Sequence, residues 1–187
     1  MCPECMRSLP EADPPDFGYA HLSYRHPSVK RTLWKMKYRG VFAAARDFGE
    51  PLCDIALGIL GDEIIGGEKT ALVVPVPLFR LRRWKRGYNH ADFLARALCD
   101  AAPAGVFSYA PLALAKVKPT KRQAEMRTKK ERTANIRGSF RARRDIVEGR
   151  IVFLIDDIIT TGATAREASR ALKTAGAAEV YAIAVAH

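Results

Sequence analysis

Cysteine is scarce, with four in 187 residues, and only Cys2 and Cys5 stand close together. A small-loop scaffold stapled by disulfides is therefore excluded as the basis of the fold. Long hydrophobic runs are lacking too. Stretches such as 151–155 fall far short of the ~20 apolar residues that cross a bilayer, so no membrane insertion is expected. Met1-Cys2-Pro3 does not open on the basic stretch and apolar run of a secretory leader, and a cytoplasmic location is the expectation. The Gly-Lys-Thr or Gly-Lys-Ser of a P-loop and the glycine fingerprint of dinucleotide folds are both missing. So are internal repeats and low-complexity tracts. The length suits one domain with a small appendage.

Acidic residues are few in the middle of the chain. From Arg80 to Arg150 there are 19 Lys and Arg against 6 Asp and Glu, a net of +13, while the remainder holds 12 basic and 14 acidic residues, a net of −2. The whole excess of +11 therefore lies in one block, a pattern suited to a polyanion such as ligand phosphates or a nucleic acid.

What is present reads as alternating strands and helices. Residues 1–16 hold the Cys2-x-x-Cys5 pair and a linker with Pro10, Pro14 and Pro15, and residues 17–187 form the main domain. Cys2 and Cys5 have the spacing of two zinc ligands, but no second such pair follows to complete a set of about four. A strand is expected over 17–24, a helix over 27–38 with Val29, Leu33 and Met36 inward, and a helical stretch over 42–60 broken near Pro51. Residues 70–76 and 151–155 are short continuous apolar runs, as in strands buried on both faces of a parallel sheet. Asn89 is placed to cap a helix through Leu98. Residues 112–117 are a weaker strand candidate, 118–138 a charged loop or short helix, 162–174 a helix ended by Gly176, and 179–186 a last strand. The fold class is α/β: a mostly parallel sheet flanked by helices.

The chemistry concentrates at Asp156-Asp157-Ile158-Ile159-Thr160-Thr161-Gly162-Ala163-Thr164. A buried strand delivers two carboxylates to its carboxyl end, the edge where parallel sheets bind ligands. Asp156 and Asp157 can accept hydrogen bonds from adjacent ribose hydroxyls or hold Mg²⁺ through water. Thr160, Thr161, Gly162, Ala163 and Thr164 then offer small side chains, hydroxyls and backbone N–H groups at a helix N-terminus, a cradle for a phosphate monoester.

This segment resembles the phosphoribosyl pyrophosphate (PRPP) signature of type I phosphoribosyltransferases. Further motifs narrow the likeness: Val74-Pro75-Val76-Pro77, Arg86-Gly87-Tyr88-Asn89-His90, Thr120 with Gln123, then Arg132, Asn135, Ile136, Gly138 and Phe140, together with Trp34 to Gly40. In this order they resemble the ComF (competence protein F) family over nearly the whole chain from Tyr19. That family commonly carries two C-x-x-C pairs before the domain and a Gln where His90 stands.

The resemblance implies a type I phosphoribosyltransferase-like fold with a short cysteine-containing N-terminal segment and a hood over 118–138. It implies catalytic Asp156 and Asp157. Backbone N–H groups of the Val76-Pro77-Leu78 loop, with Arg86 and Gly87, would face the pyrophosphate. Mg²⁺ is the implied cofactor, with zinc at Cys2 and Cys5. The partners would be PRPP or another phosphoribosyl compound, single-stranded DNA and the DNA-uptake machinery, with Lys121, Arg122, Lys129 and Lys130 as candidate nucleic-acid contacts. Three functions stay open: a phosphoribosyltransferase of unnamed acceptor linked to natural competence, a non-catalytic single-stranded DNA-binding protein with PRPP as a regulatory ligand, and a sensor that binds PRPP without turnover.

Overall fold

Three apolar runs build the middle of one sheet. They are β2 (Ala71–Pro75), β6 (Ile151–Ile158) and β7 (Glu179–Ala186). Two short strands, β1 (Tyr19–Leu22) and β3 (Phe107–Tyr109), form its edges. The order is β1-β7-β6-β2-β3, and every neighbouring pair is parallel. A computed structural model describes residues 17–39, 43–61, 70–79, 84, 87–120 and 128–187. Cys2, Cys5, Arg86, Lys121 and Arg122 lie outside the described residues.

The helices are α1 (Pro27–Arg39), α2 (Ala43–Arg46), α3 (Gly49–Leu60), α4 (His90–Ala101), α5 (Lys129–Ile136), α6 (Arg144–Val147) and α7 (Ala163–Thr174). Successive strand residues point to opposite faces, and the core divides accordingly. Ala71, Val73, Phe153, Ile155, Ile183 and Val185 pack with Leu94, Ala95 and Leu98 of α4 and with α1 and α3. Leu72, Val74, Val152, Leu154, Ala182 and Ala184 pack with Ala165, Ala168, Ala171 and Leu172 of α7. Fully burying a side chain of Val or Leu size contributes about 1.5–3 kcal/mol, which is why these runs lack the polar alternation of a half-exposed strand.

Topology places the functional edge. The chain leaves β2 through α4 and reaches β3 on one side of it; it leaves β6 through α7 and reaches β7 on the other. The two connections depart in opposite directions and pack on opposite faces, so a switch point lies between β2 and β6. The carboxyl ends of strands at such a point are where open α/β sheets bind ligands.

Several sequence expectations change. The 42–60 stretch breaks at Asp47 and Phe48, whereas Pro51 sits inside the first turn of α3, where a missing N–H costs nothing. The 112–117 run supplies β4 (Leu114–Lys116), which pairs antiparallel with β5 (Phe140–Ala142) in a separate two-stranded sheet. The edge of the main sheet beside β2 is β3, too short for periodicity to reveal. There Tyr109 donates to Asp92 at 2.5 Å while the Arg96 guanidinium lies 4.3 Å from its ring centroid. Burial, with Asp92 adding, pushes the Tyr109 phenol up to about 12, so it remains a neutral donor at physiological pH. Asn89 heads α4 without a side-chain cap; its amide donates to the Val76 carbonyl at 3.0 Å instead.

Cys53 and Cys99 are free thiols inside the fold, buried and half-buried. Burial, helped by Asp100, pushes Cys99 up to about 11, and Cys53 is raised by burial and Asp54. Both are packing residues rather than nucleophiles. Among the described residues, no helix is long and apolar enough to cross a membrane.

Candidate functional site

The site grows from the carboxyl end of β6. Residues 156 and 158 lie on one face of the strand and 157 on the other. Asp156 and Ile158 accordingly line a depression of about 240 Å³, completed by Ile159, Thr160, Gly162, Ala163, Thr164 and Ala165. Asp157 does not line it and is only 8 % exposed. The Asp156 carboxylate accepts from the Asp157 amide at 2.8 Å, which orients one oxygen. The structure therefore brings Asp156 together with Thr160, Gly162, Ala163 and Thr164, whereas Thr161 does not line the depression and Asp157 is set behind it.

The loop is shaped by Gly162, whose φ of 68° is left-handed. The first helical bond of α7 runs from the Arg166 amide to the Gly162 carbonyl at 2.8 Å. The N–H groups of residues 163–165 therefore stand ahead of the helical ladder, at the positive end of the helix. With the helix dipole behind them they suit an anion. A hard carboxylate oxygen at the same depression suits Mg²⁺, which is normally shared with a substrate's phosphates. Among the described residues no cluster of three or more His, Cys, Asp or Glu is arranged to hold a metal.

Gly162 matters for a reason the sequence does not show. A Cβ there would lie 3.1 Å from Arg166 Nη2 and 3.1 Å from the Phe17 Cβ. It would press on the packing beneath the loop rather than stand over the anion. Gly162→Val combines that contact with a conformation costing an L-residue about 1–2 kcal/mol. We expect it to weaken binding of ribose 5-phosphate at least about tenfold, measured by calorimetric titration; unchanged affinity would remove the loop from the site.

The β2 end faces β6 at the switch point. The Val76 amide donates to the Ile155 carbonyl at 2.8 Å, one residue before Asp156, and Pro77 has no amide hydrogen. The N–H groups expected there from Val76 and Pro77 are thus not available, and the turn's amide donors begin at Leu78. Gly87 is exposed in a left-handed turn with φ of 77°, just before Asn89. His90 is buried, its ring edge-on to Tyr88 at 5.2 Å. Trp34 and Trp84 are surface residues, 50 % and 82 % exposed, so neither is a core residue.

The hood region departs from the main sheet as an antiparallel arm. The Val117 amide bonds the Ser139 carbonyl at 2.8 Å, continuing the β4–β5 ladder toward α5. Thr128 and Glu131 form a reciprocal capping box: the Glu131 amide donates to the Thr128 hydroxyl at 3.1 Å, and the Thr128 amide to the Glu131 carboxylate at 3.3 Å. Lys129 and Lys130 occupy the first turn that follows. The T-x-x-E spacing is a readable signal for this helix start.

Glu167 carries no signal in the sequence, where it is one more charge on a helix. It is 8 % exposed and ties the arm to α7: it accepts from the Gly138 amide at 2.7 Å and from Arg170 at 2.7 and 3.0 Å. The Arg170 hydrogen bonds hold its carboxyl below the ordinary carboxylate value, against the effect of burial. A depressed folded value contributes stability above the unfolded value and loses it as pH falls below. Glu167→Gln should therefore lower unfolding free energy by about 1.5–3 kcal/mol near neutrality. The deficit should shrink as pH falls below the unfolded value of about 4.3, where the stabilisation of the ionised carboxylate is progressively lost. Urea titrations across pH check this; a deficit that persists undiminished in acid contradicts it.

A parallel sheet with a switch point, an acidic strand end and a small-residue loop before a helix define the class. The chain belongs to the phosphoribosyl transferase domain family, whose match spans residues 84–187. Its curated relatives are competence and DNA-utilization proteins, as the ComF resemblance implies. Competence protein F of Haemophilus influenzae is 34 % identical over 110 residues, 58 % of this chain and 46 % of that protein. Competence protein ComFC of Bacillus subtilis is 30 % identical over 152 residues, 80 % of this chain and 55 % of that protein. The chain thus spans about half the length of these two relatives. DNA utilization protein YhgH of Salmonella typhimurium is 27 % identical over 197 residues, 96 % of this chain and 81 % of that protein. Among solved structures, the glutamine PRPP amidotransferase from B. subtilis matches with a TM-score of 0.47 and 24 % identity, over 76 % of this chain and 26 % of that chain.

Proposed function

We propose that this protein binds PRPP with Mg²⁺ at the switch-point depression and transfers its ribosyl phosphate to an acceptor, in the service of DNA uptake. The observation that carries this reading is the convergence of Asp156 with Thr160 and residues 162–165 in one depression. In it, Thr160 to Thr164 and the α7 amides hold the 5′-phosphate and Asp156 the ribose hydroxyls. The Asp157 backbone amide orients the Asp156 carboxylate for this role. The bond from the anomeric carbon to pyrophosphate breaks as a bond to the acceptor nucleophile forms; pyrophosphate leaves and the acceptor's proton is released. Carboxylates near the sugar favour the positive charge that builds on it. Mg²⁺ would neutralise the leaving pyrophosphate, alongside Arg86.

A second reading keeps the binding and removes the turnover: a single-stranded DNA-binding protein with PRPP as regulator. It is supported by Trp84, 82 % exposed within a run that holds Arg80, Arg82, Arg83, Lys85 and Arg86 and no acid. Exposed aromatics among cations are how single strands are held. Pyrophosphate release from PRPP, assayed over a panel of bases with and without single-stranded DNA, separates the two. Release favours the transferase; tight PRPP binding with no release under any condition favours the regulated binder.

A further inference from the structure

Phe17 and Gly18 are laid against the loop that ends β6. Gly18 has φ of 93°, and a Cβ there would stand 2.7 Å from the Ala182 carbonyl oxygen and 2.9 Å from Ile159 Cδ1. Only glycine lets the entering chain lie this close to β7 and to the residue before Thr160. Phe17 then packs on the α7 side of the core. The Arg166 guanidinium lies 5.2 Å from its ring centroid, and the same guanidinium donates through Nη2 to the Thr161 carbonyl at 2.8 Å.

This last bond has a directional consequence. A trans peptide is planar, with its C=O and N–H pointing opposite ways. Holding the Thr161 oxygen on Arg166 therefore aims the Gly162 N–H away from the guanidinium. It also commits to a cation a carbonyl that would otherwise be able to turn toward an incoming anion. A Cβ added at Gly162 would stand 3.1 Å from both Arg166 Nη2 and the Phe17 Cβ, so the two residues flank the loop at its glycine.

We propose that Phe17 and Arg166 form a clamp that positions the loop for a phosphate monoester, making the segment that enters β1 part of the ligand site. The proposal rests on the reading that the 160–165 loop holds the 5′-phosphate. Phe17 and Arg166 are positioning residues: one supplies a ring face, the other a charged fork, and neither needs to touch the ligand.

The experiment is calorimetric titration of ribose 5-phosphate into the full chain and variants, with thermal unfolding run beside it. Phe17→Leu and Arg166→Met should each weaken binding about tenfold, while Phe17→Tyr, which keeps a ring face, stays within about twofold. The double variant should bind no worse than about the weaker single one, because either change already releases the clamp. Wild-type affinity in both single variants overturns the clamp, as do losses that simply add or a Phe17→Tyr variant as poor as Phe17→Leu. Should Phe17→Leu fail to fold, Arg166→Met against Arg166→Lys decides, Lys keeping the charge and the donor: equal affinities across wild type and both overturn the proposal, and a deficit in Met that Lys relieves supports it. Failure of wild type itself to bind ribose 5-phosphate takes down the phosphate-loop reading and the clamp with it, an outcome distinct from variants that match a binding wild type.

Discussion

Asp156→Asn with Asp157→Asn is expected to abolish PRPP binding while the fold survives. Asn keeps the shape of Asp, so Val152 to Ile155 and their neighbours in β2 and β7 keep their packing. What disappears is charge at the end of β6. A hydrogen bond to a charged group is worth about 1.5–3 kcal/mol; two of them, from adjacent ribose hydroxyls to the Asp156 carboxylate, amount to about 3–6 kcal/mol, or roughly a hundred- to ten-thousand-fold in Kd. The two positions should contribute unequally. Asp156 lines the depression and should carry most of the loss, whereas Asp157 is buried and should act through the strand end it shares. Calorimetry with PRPP and Mg²⁺ measures both, and equal affinity for the double variant would sink the assignment. The same change should leave the unfolding midpoint within a few degrees of wild type.

Single-stranded DNA is expected to bind through the 80–150 block, with affinity dominated by charge. That segment holds the entire positive excess, a net of +13. Each Lys or Arg contact to a phosphate releases condensed counterions, giving a log–log salt slope near about −0.7 per contact on a single strand. Neutralising Lys121, Arg122, Lys129 and Lys130 together should reduce the slope by about 2.8 and weaken binding roughly a hundred-fold or more at about 0.1 M salt, whatever the base sequence. Lys129 and Lys130 have an argument of their own. They stand in the first turn of α5, where basic residues oppose the helix dipole; they do not serve the helix, and a bound phosphate would offset the conflict. Trp84→Ala should behave differently. Loss of base stacking costs about 1–3 kcal/mol with the salt slope unchanged. Fluorescence anisotropy of a labelled oligonucleotide over a salt series tests all of this. No binding at low salt, or a slope untouched by the four substitutions, would shift the weight to a purely metabolic transferase.

The sheet's centre and the strand–loop stretch of the candidate site were legible because local pattern suffices for them. A strand buried on both faces needs no alternation of polar and apolar residues. Leu72 and Val73 show why: they point to opposite faces, and each enters its own half of the core. The continuous apolar runs at 71–75 and 151–155, and the small-residue loop before α7, therefore announce themselves within a few residues. Helix starts are legible where a side chain caps its own turn, as in the Thr128–Glu131 box. Pro51 was less legible: read as a break, it stands inside a first turn, which tolerates proline where a helix interior does not.

By itself, then, the sequence determined the α/β class, the buried strands, the charge block and the strand–loop–helix stretch of the candidate site, because each depends on residues close together in the chain. Only the tertiary structure decided which of the two carboxylates faces the depression, since strand geometry sends neighbours to opposite sides. It alone showed that the Val76 amide is spent on β6, that Asn89 holds Val76 rather than capping α4, and that β3 and not the 112–117 run completes the sheet. It alone joined Glu167 to Gly138, 29 residues apart, and Phe17 to Arg166. Such pairs have no signature in composition or periodicity. They exist because the crossover through α7 lays a helix beside the arm and its first turn beside the entry to β1, a juxtaposition set by topology and packing rather than by any local stretch of chain.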